Sequence, residues 1–183
     1  MSSIKLHPVK NDAKSRTQYT LDVYEKMYQE SMANPETFWA EQGKRIDWIK
    51  PFTQVKNTSF SGQDLHIEWY KDGILNASVN CLDRHLETRA DQTAIIFEGD
   101  DPSVSKHITY QELFEETCQF ANVLKGQGIK KGDRVCIYLP MIPELAISVL
   151  ACARIGSIHS VVFAGFSATA LSTRINDSDC KMV

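Results

Sequence analysis

The sequence predicts an α/β protein in which a helical N-terminal extension precedes an incomplete doubly wound, mostly parallel sheet with helices on both faces. Two short apolar runs, residues 135–139 and 158–163, have the length of buried strands, and residues 144–155 between them are apolar on nearly every face. A strand–helix–strand crossover of this kind implies a parallel sheet covered on both sides. Upstream, residues 21–43 carry apolar side chains at helical spacing and predict the extension.

The N-terminal extension is predicted to span residues 1–62, and the first part of the α/β domain to span residues 63–183. Residues 1–18 are expected to form a loosely docked arm. Helical spacing begins at Leu21, and Asn34-Pro35-Glu36 is typical of the start of a second helix, with a capping Asn, Pro at the first position and an acid in the first turn.

Residues 48–62 show no clear period and are interpreted as a connector on the surface of the main domain. Residues 66–70 predict a short strand, and Asp72-Gly73 predicts a turn that returns residues 74–75 as its partner. The connector's aromatic side chains are expected to anchor it by packing, with a partner surface as the alternative. These side chains are Trp48, Phe52 and Phe60.

The α/β part is predicted to begin with one helix over residues 79–90, whose apolar residues share a face. A hairpin of residues 93–97 with 107–110 follows, and then a helix over residues 113–124 that ends at Gly126.

The chain's last residues predict a helix over 167–176 and the start of another strand at 181–183. A sheet that stops there has an exposed edge, so we expect a fragment of a longer protein and self-association through that edge.

Composition narrows the classes of function. The net charge of −3 gives no electrostatic case for nucleic acid or an anionic membrane as a partner. The sequence has no apolar run of the roughly 20 residues needed to cross a bilayer. Five cysteines without a Cys-x-x-Cys pair indicate reduced thiols, and the predicted location is cytoplasmic.

Few residues have a sequence spacing that by itself indicates a metal or ligand site. Cys81 and His85 lie four residues apart, but two ligands do not make a structural zinc site, so no metal site is predicted. A basic patch surrounds one helix–strand turn. The favoured interpretation is that its positive charges complement the negative end of the helix dipole. The alternative is that they contact a phosphate group. The patch consists of Lys125, Lys130, Lys131 and Arg134.

The turn Phe163-Ala164-Gly165-Phe166-Ser167 is the best candidate site. Parallel sheets bind ligands beyond the carboxyl ends of their strands, and small residues let a ligand approach the backbone. The following helix adds free N–H groups and a positive dipole end. An ordinary strand-to-helix turn also needs small residues, and spacing alone favours that plainer interpretation.

Six segments resemble the AMP-forming acetyl-CoA synthetases (acetate–CoA ligases) of the adenylate-forming superfamily, and the similarity runs from about Tyr24 to Val183. They are NCLDRH at 80–85, AIIFEGDD at 94–101, KHITY at 106–110, LPMIPE at 139–144, LACARIG at 150–156 and HSVVFAGFS at 159–167.

The resemblance implies that the full-length parent is an enzyme that converts acetate, ATP and CoA to acetyl-CoA, AMP and pyrophosphate through acetyl-AMP, with Mg²⁺. It also implies that Phe163, Ala164 and Gly165 contact coenzyme A, although many members have Gly where Ala164 stands. The ATP phosphate loop, the acetate pocket and the catalytic lysine of the family have no counterpart in this sequence. No catalytic residue is therefore predicted, and the 183-residue chain is expected to be inactive alone.

Two alternatives remain open at this point. One is a fragment of a propionyl-CoA synthetase, because the residues that select acetate or propionate lie outside this sequence. The other is a non-catalytic folding or interaction module that acts through the exposed sheet edge.

Overall fold

A computed structural model describes residues 8–183, which form two compact units. The first comprises residues 8–46 with Phe52–Asp72, and the second comprises Asp47–Pro51 with Gly73–Val183. The predicted α/β class with a helical N-terminal part is confirmed, since helices open the first unit and helices alternate with strands in the second. The predicted domain boundary between residues 62 and 63 stays a prediction.

The first unit begins with three helices, α1 (Asn11–Arg16), α2 (Leu21–Ala33) and α3 (Pro35–Gly43). The two helices predicted from residues 21–43 are confirmed, and Pro35 occupies the first turn of α3 as expected. The predicted arm lies partly outside the described residues. Within its described part α1 is a short helix, although all of its residues are exposed.

An antiparallel hairpin completes the first unit. It consists of β1 (Lys56–Ser61) and β2 (Asp64–Trp69), paired from Lys56↔Trp69 to Ser61↔Asp64. The predicted pairing of this strand with residues 74–75 is wrong, because β2 pairs with β1 and Ile74 forms an antiparallel bridge with Lys50 instead.

Of the connector's three predicted aromatic anchors, one packs against other residues, one is exposed and one is half-buried. Phe52 packs on the Tyr70 ring, at a centroid distance of 4.6 Å, and beside Gly43. Phe60 is 78% exposed, so the prediction that it anchors the connector is wrong. Trp48, which belongs to the second unit, is half-buried.

The second unit begins with two short helices, α4 (Ala77–Cys81) and α5 (Asp83–Arg89), where one helix was predicted. Leu82 breaks the helix with φ −120° and ψ −69°, and it is 1% exposed. Cys81 and His85 therefore lie on different helices.

A second antiparallel hairpin, β3 (Thr93–Glu98) with β4 (Ser105–Thr109), follows as predicted. It leads directly into α6 (Tyr110–Gly126). The start of α6 carries a capping box, in which Thr109 Oγ1 accepts from the Glu112 N–H and the Glu112 carboxylate accepts from the Thr109 N–H.

The crossover predicted at the centre of the sequence is confirmed. It consists of β5 (Arg134–Leu139), α7 (Pro143–Ile155) and β6 (Ile158–Phe163), with the two strands parallel, and α8 (Ala168–Asp177) follows. On the other edge of β5 the Cys136 N–H donates to the Met182 carbonyl at 2.8 Å, and Met182 forms a parallel bridge with Val135.

The core of the second unit lies between α6, α7 and β5. Leu124, Ala151 and Cys152 at its centre are 0% exposed. Within residues 8–183 the strands form three two-stranded sheets, of which only the β5–β6 sheet is parallel. In the same range, none of the helices combines the length and apolar character needed to cross a membrane.

Candidate functional site

The predicted turn lies at the carboxyl edge of the parallel strand pair. Leu139 and Phe163 are the last residues of β5 and β6 and are paired with each other. Ala164 and Gly165 form the turn that follows, and α8 begins three residues later. The fold thus places the candidate residues where parallel sheets bind their ligands.

Backbone and side-chain hydrogen bonds fix the shape of this turn. The Phe166 N–H donates to the Phe163 carbonyl at 3.0 Å. Ser167 caps α8, because its Oγ accepts from the Ala170 N–H at 3.3 Å. These contacts turn the chain sharply from strand to helix.

Tyr138 supports the turn from β5. Its hydroxyl lies 2.8 Å from the Ala164 carbonyl oxygen and 2.9 Å from the Phe166 carbonyl oxygen, and it donates its single proton to this pair. Both carbonyls therefore have a partner within the protein.

Glycine at position 165 lets the Phe163 ring fold over the backbone. A Cβ at this position would lie 2.5 Å from Phe163 Cε1 and 3.1 Å from Cδ1, which is closer than side-chain atoms approach. On this side of the turn, the Phe163 ring therefore lies against the Gly165 backbone, where we expected a ligand to lie.

The surface around the turn is aromatic and carries one cation. Phe163 is 61% exposed, and its ring meets Phe166 edge-on with the centroids 6.0 Å apart. The Arg174 guanidinium of α8 lies 4.6 Å from the centre of the Phe166 ring. Such a surface can pack against an apolar or planar ligand group while a positive charge stands nearby.

Sequence reasoning missed Tyr138 and Arg174 as part of this site. A register between β5 and β6 would have indicated Tyr138, because it pairs with Val162 next to the last residue of β6. Arg174 lies eight residues beyond Phe166 on α8, and nothing in the spacing indicated that its guanidinium reaches that ring.

The residues of the predicted basic patch do not all act together. Lys125, Lys130 and Lys131 border one cavity near the start of β5. Arg134 is engaged elsewhere, since its Nε donates to the Ser178 carbonyl at 2.8 Å and its Nη2 contacts the Asp179 carboxylate at 2.5 Å. A hydrogen bond from Lys181, with added help from Arg134, lowers the pKa of Asp179 below its ordinary value.

The two buried cysteines, Cys136 and Cys152, and the metal-ligating side chains among residues 8–183 give no sign of a second site. Burial raises the pKa of the Cys136 and Cys152 thiols, which disfavours the reactive thiolate. His85 packs its ring against Tyr110, at a centroid distance of 5.5 Å. Across the described range, 8–183, no three His, Cys, Asp or Glu side chains gather in a group that could hold a metal ion.

Comparison with known proteins gives two family matches. Residues 82–183 match the model described as AMP-binding enzyme, and residues 24–81 match the model described as acetyl-coenzyme A synthetase N-terminus. The first match covers more than half of the chain.

Curated relatives are similar over essentially the whole sequence. The chain is 60% identical to an acetyl-coenzyme A synthetase of Marinobacter nauticus and 56% identical to one of Vibrio cholerae, each over all 183 residues. It is 59% identical over 181 residues, 99% of the chain, to one of Brucella suis. The chain spans 28% of the length of each of these relatives, in agreement with the prediction that it corresponds to an N-terminal portion.

Proposed function

Since this chain belongs to the AMP-binding enzyme family, we propose that it is the N-terminal portion of an acetate–CoA ligase. The identity of 60% along the full 183 residues is the observation that carries the proposal. The same observation favours acetate over propionate, because these relatives carry the acetyl-coenzyme A synthetase name.

The proposed reaction has two steps. A carboxylate oxygen of acetate attacks the α-phosphorus of ATP, which forms acetyl-AMP and releases pyrophosphate. The sulfur of coenzyme A then attacks the acetyl carbonyl carbon, loses its thiol proton and releases AMP. Mg²⁺ is proposed for the parent enzyme, and residues 8–183 do not group into a ligand set for it.

We place coenzyme A against Phe163, Ala164 and Gly165. Three features support this position: the turn lies at the carboxyl edge of the parallel strands, the Phe163 ring is largely exposed, and Ala164 keeps the backbone accessible. The Tyr138 hydroxyl holds the turn in one shape before the ligand arrives, which reduces the entropy lost on binding.

Calorimetric titration of the 183-residue chain with coenzyme A tests this position. We expect measurable heat at millimolar ligand, and weaker binding by Gly165→Ala, because the new Cβ displaces the Phe163 ring. Gly126→Ala is the matched control, since no atom lies within 4 Å of its added Cβ. Absence of heat with the unchanged chain, or equal binding by both variants, would contradict the assignment.

The chain alone is proposed to be catalytically inactive. Acetate-dependent exchange of pyrophosphate into ATP by the 183-residue protein would refute that statement. The cytoplasmic location and self-association through the sheet edge also stay predictions. Light scattering over a range of protein concentrations checks the second, and a monomer throughout would argue against it.

A further inference from the structure

A second concavity lies at the opposite end of β5 and β6 from the turn. It is formed by the end of α6, the turn before β5 and the end of α7, and its volume is about 690 Å³. This volume is typical of small-molecule sites. The floor is apolar, with Ala121 and Ile129 only 4% and 5% exposed.

The rim of this cavity is cationic. Lys125, Lys130 and Lys131 line it, and no carboxylate is among the described residues that do so. Within residues 8–183 none of the three lysines forms an ion pair. The fourth cation, Arg154, is fixed in the wall by two hydrogen bonds of 2.8 Å to Asp83.

The helix dipole accounts for only half of these charges. Lys125 and Arg154 stand in the last turns of α6 and α7, where a cation is favourable, and the effect fades beyond that turn. Lys130 and Lys131 follow the end of α6. The acid in their own turn, Asp133, accepts a hydrogen bond from the Lys130 backbone N–H at 2.9 Å rather than pairing with either ammonium group.

Lys131 is also held in position. A Cβ at Gly156 would lie 3.1 Å from Lys131 Cγ, so the lysine stem rests against the backbone where α7 ends. The Gly132 N–H donates to the Gly156 carbonyl at 3.0 Å and fixes the two segments together. A restrained stem loses less conformational entropy when its ammonium group binds an anion.

We propose that this cavity binds a nucleotide, with its phosphates between Lys130 and Lys131 and its base on the floor of Ala121 and Ile129. Lysine ammonium groups bind phosphate oxygens as point charges, and an apolar floor suits a planar base. Six residues of β6 separate this end of the sheet from the turn at Phe163, a span of roughly 17 Å. The two sites are therefore independent, and neither proposal rests on the other.

Magnesium-free ADP is the probe, and amide chemical shifts of the 183-residue chain are the readout. We expect ADP to shift the amides of residues 128–132, and adenosine without phosphate to leave them unchanged. Shifts confined to residues 163–167, or no shifts at millimolar ADP, would overturn the proposal.

Paired variants then test the lysines. Lys130→Gln with Lys131→Gln removes both charges and keeps each stem as far as Cγ, and it should weaken ADP binding at least about tenfold, since each lysine supplies a charge-assisted hydrogen bond. Lys50→Gln with Lys106→Gln makes the same change in net charge at exposed sites away from the cavity and should bind ADP like the unchanged chain. Equal losses in the two double variants would show general charge attraction and refute the site.

Discussion

The ion pair between Asp83 and Arg154 joins α5 to α7 across 71 residues of sequence. Both guanidinium Nη atoms donate to the carboxylate at 2.8 Å. The guanidinium also lies 5.0 Å from the centre of the Phe114 ring, and the Arg154 carbonyl accepts from Asn76 Nδ2 at 2.9 Å. Asp83→Asn removes the negative charge from this arrangement with little change in shape.

The expected cost of Asp83→Asn follows from the exposure of the pair. Exposed ion pairs contribute about 0.2–1 kcal/mol, and loss of one partner from a fully buried pair costs about 3–5 kcal/mol. The side chains of Arg154 and Asp83 are 21% and 28% exposed, so the pair is intermediate between an exposed ion pair and a fully buried one. We therefore expect Asp83→Asn to lower the free energy of unfolding by about 2 kcal/mol at neutral pH.

Urea unfolding at a series of pH values measures this loss. Hydrogen bonds from Arg154 lower the pKa of Asp83 below its ordinary value of about 3.9. The stabilisation is therefore fully present above about pH 4 and is lost as the pH falls through the depressed folded-state pKa. Asp83→Asn should unfold more easily at pH 7, and its difference from the unchanged chain should shrink in acid.

Asp47→Asn is the control in the same unit. Asp47 is 61% exposed, and its carboxylate meets Arg84 Nε at the longer distance of 3.6 Å, so a change below about 0.5 kcal/mol is expected. The reasoning fails if Asp83→Asn costs no more than this control, or if its effect does not depend on pH below 4.

Two further substitutions test the local backbone. Gly156 has φ 75°, and its Cβ would press on Lys131, so Gly156→Ala should lower the free energy of unfolding by about 1–2 kcal/mol, whereas Gly126→Ala should not destabilise the chain. Thr109→Ala removes the hydroxyl that caps α6 and should cost about 1 kcal/mol, while Thr109→Ser keeps the hydroxyl and most of the stability. Thermal unfolding followed by circular dichroism checks both, and losses as large in each control as in its partner would contradict them.

Segments with strong local patterns were predictable from sequence. The crossover of β5, α7 and β6 combines apolar runs of the right length, and its bounds agree with the prediction to within one residue. In contrast, β1 carries the mostly polar sequence KNTSFS, and its existence depends on pairing with β2. Because that pairing is a tertiary contact, the period of the segment could not indicate it.

The break between α4 and α5 shows the opposite failure. The apolar stripe through Leu82 continues without interruption in the sequence, so periodicity indicated one helix. In the structure, however, the backbone of Leu82 is not helical, and its side chain is almost completely buried. At the candidate site, local pattern located the turn, but the contacts of Tyr138 and Arg174 depend on the approach of separate elements and could not be predicted from spacing.

The hydrogen bond between Cys136 and Met182 shows how the chain winds around β5. From β5 the chain crosses to β6 on one side, and after α8 it returns past β5 to Met182 on the other side. Parallel crossovers are right-handed almost without exception, so a reversal of direction places α7 and α8 on opposite faces of the sheet. The crevice of a doubly wound sheet opens at such a reversal, here beyond Leu139 at the end of β5. Tyr138 precedes Leu139 at this point and its hydroxyl holds the turn after β6, so one side chain joins the ends of the two strands that border the crevice.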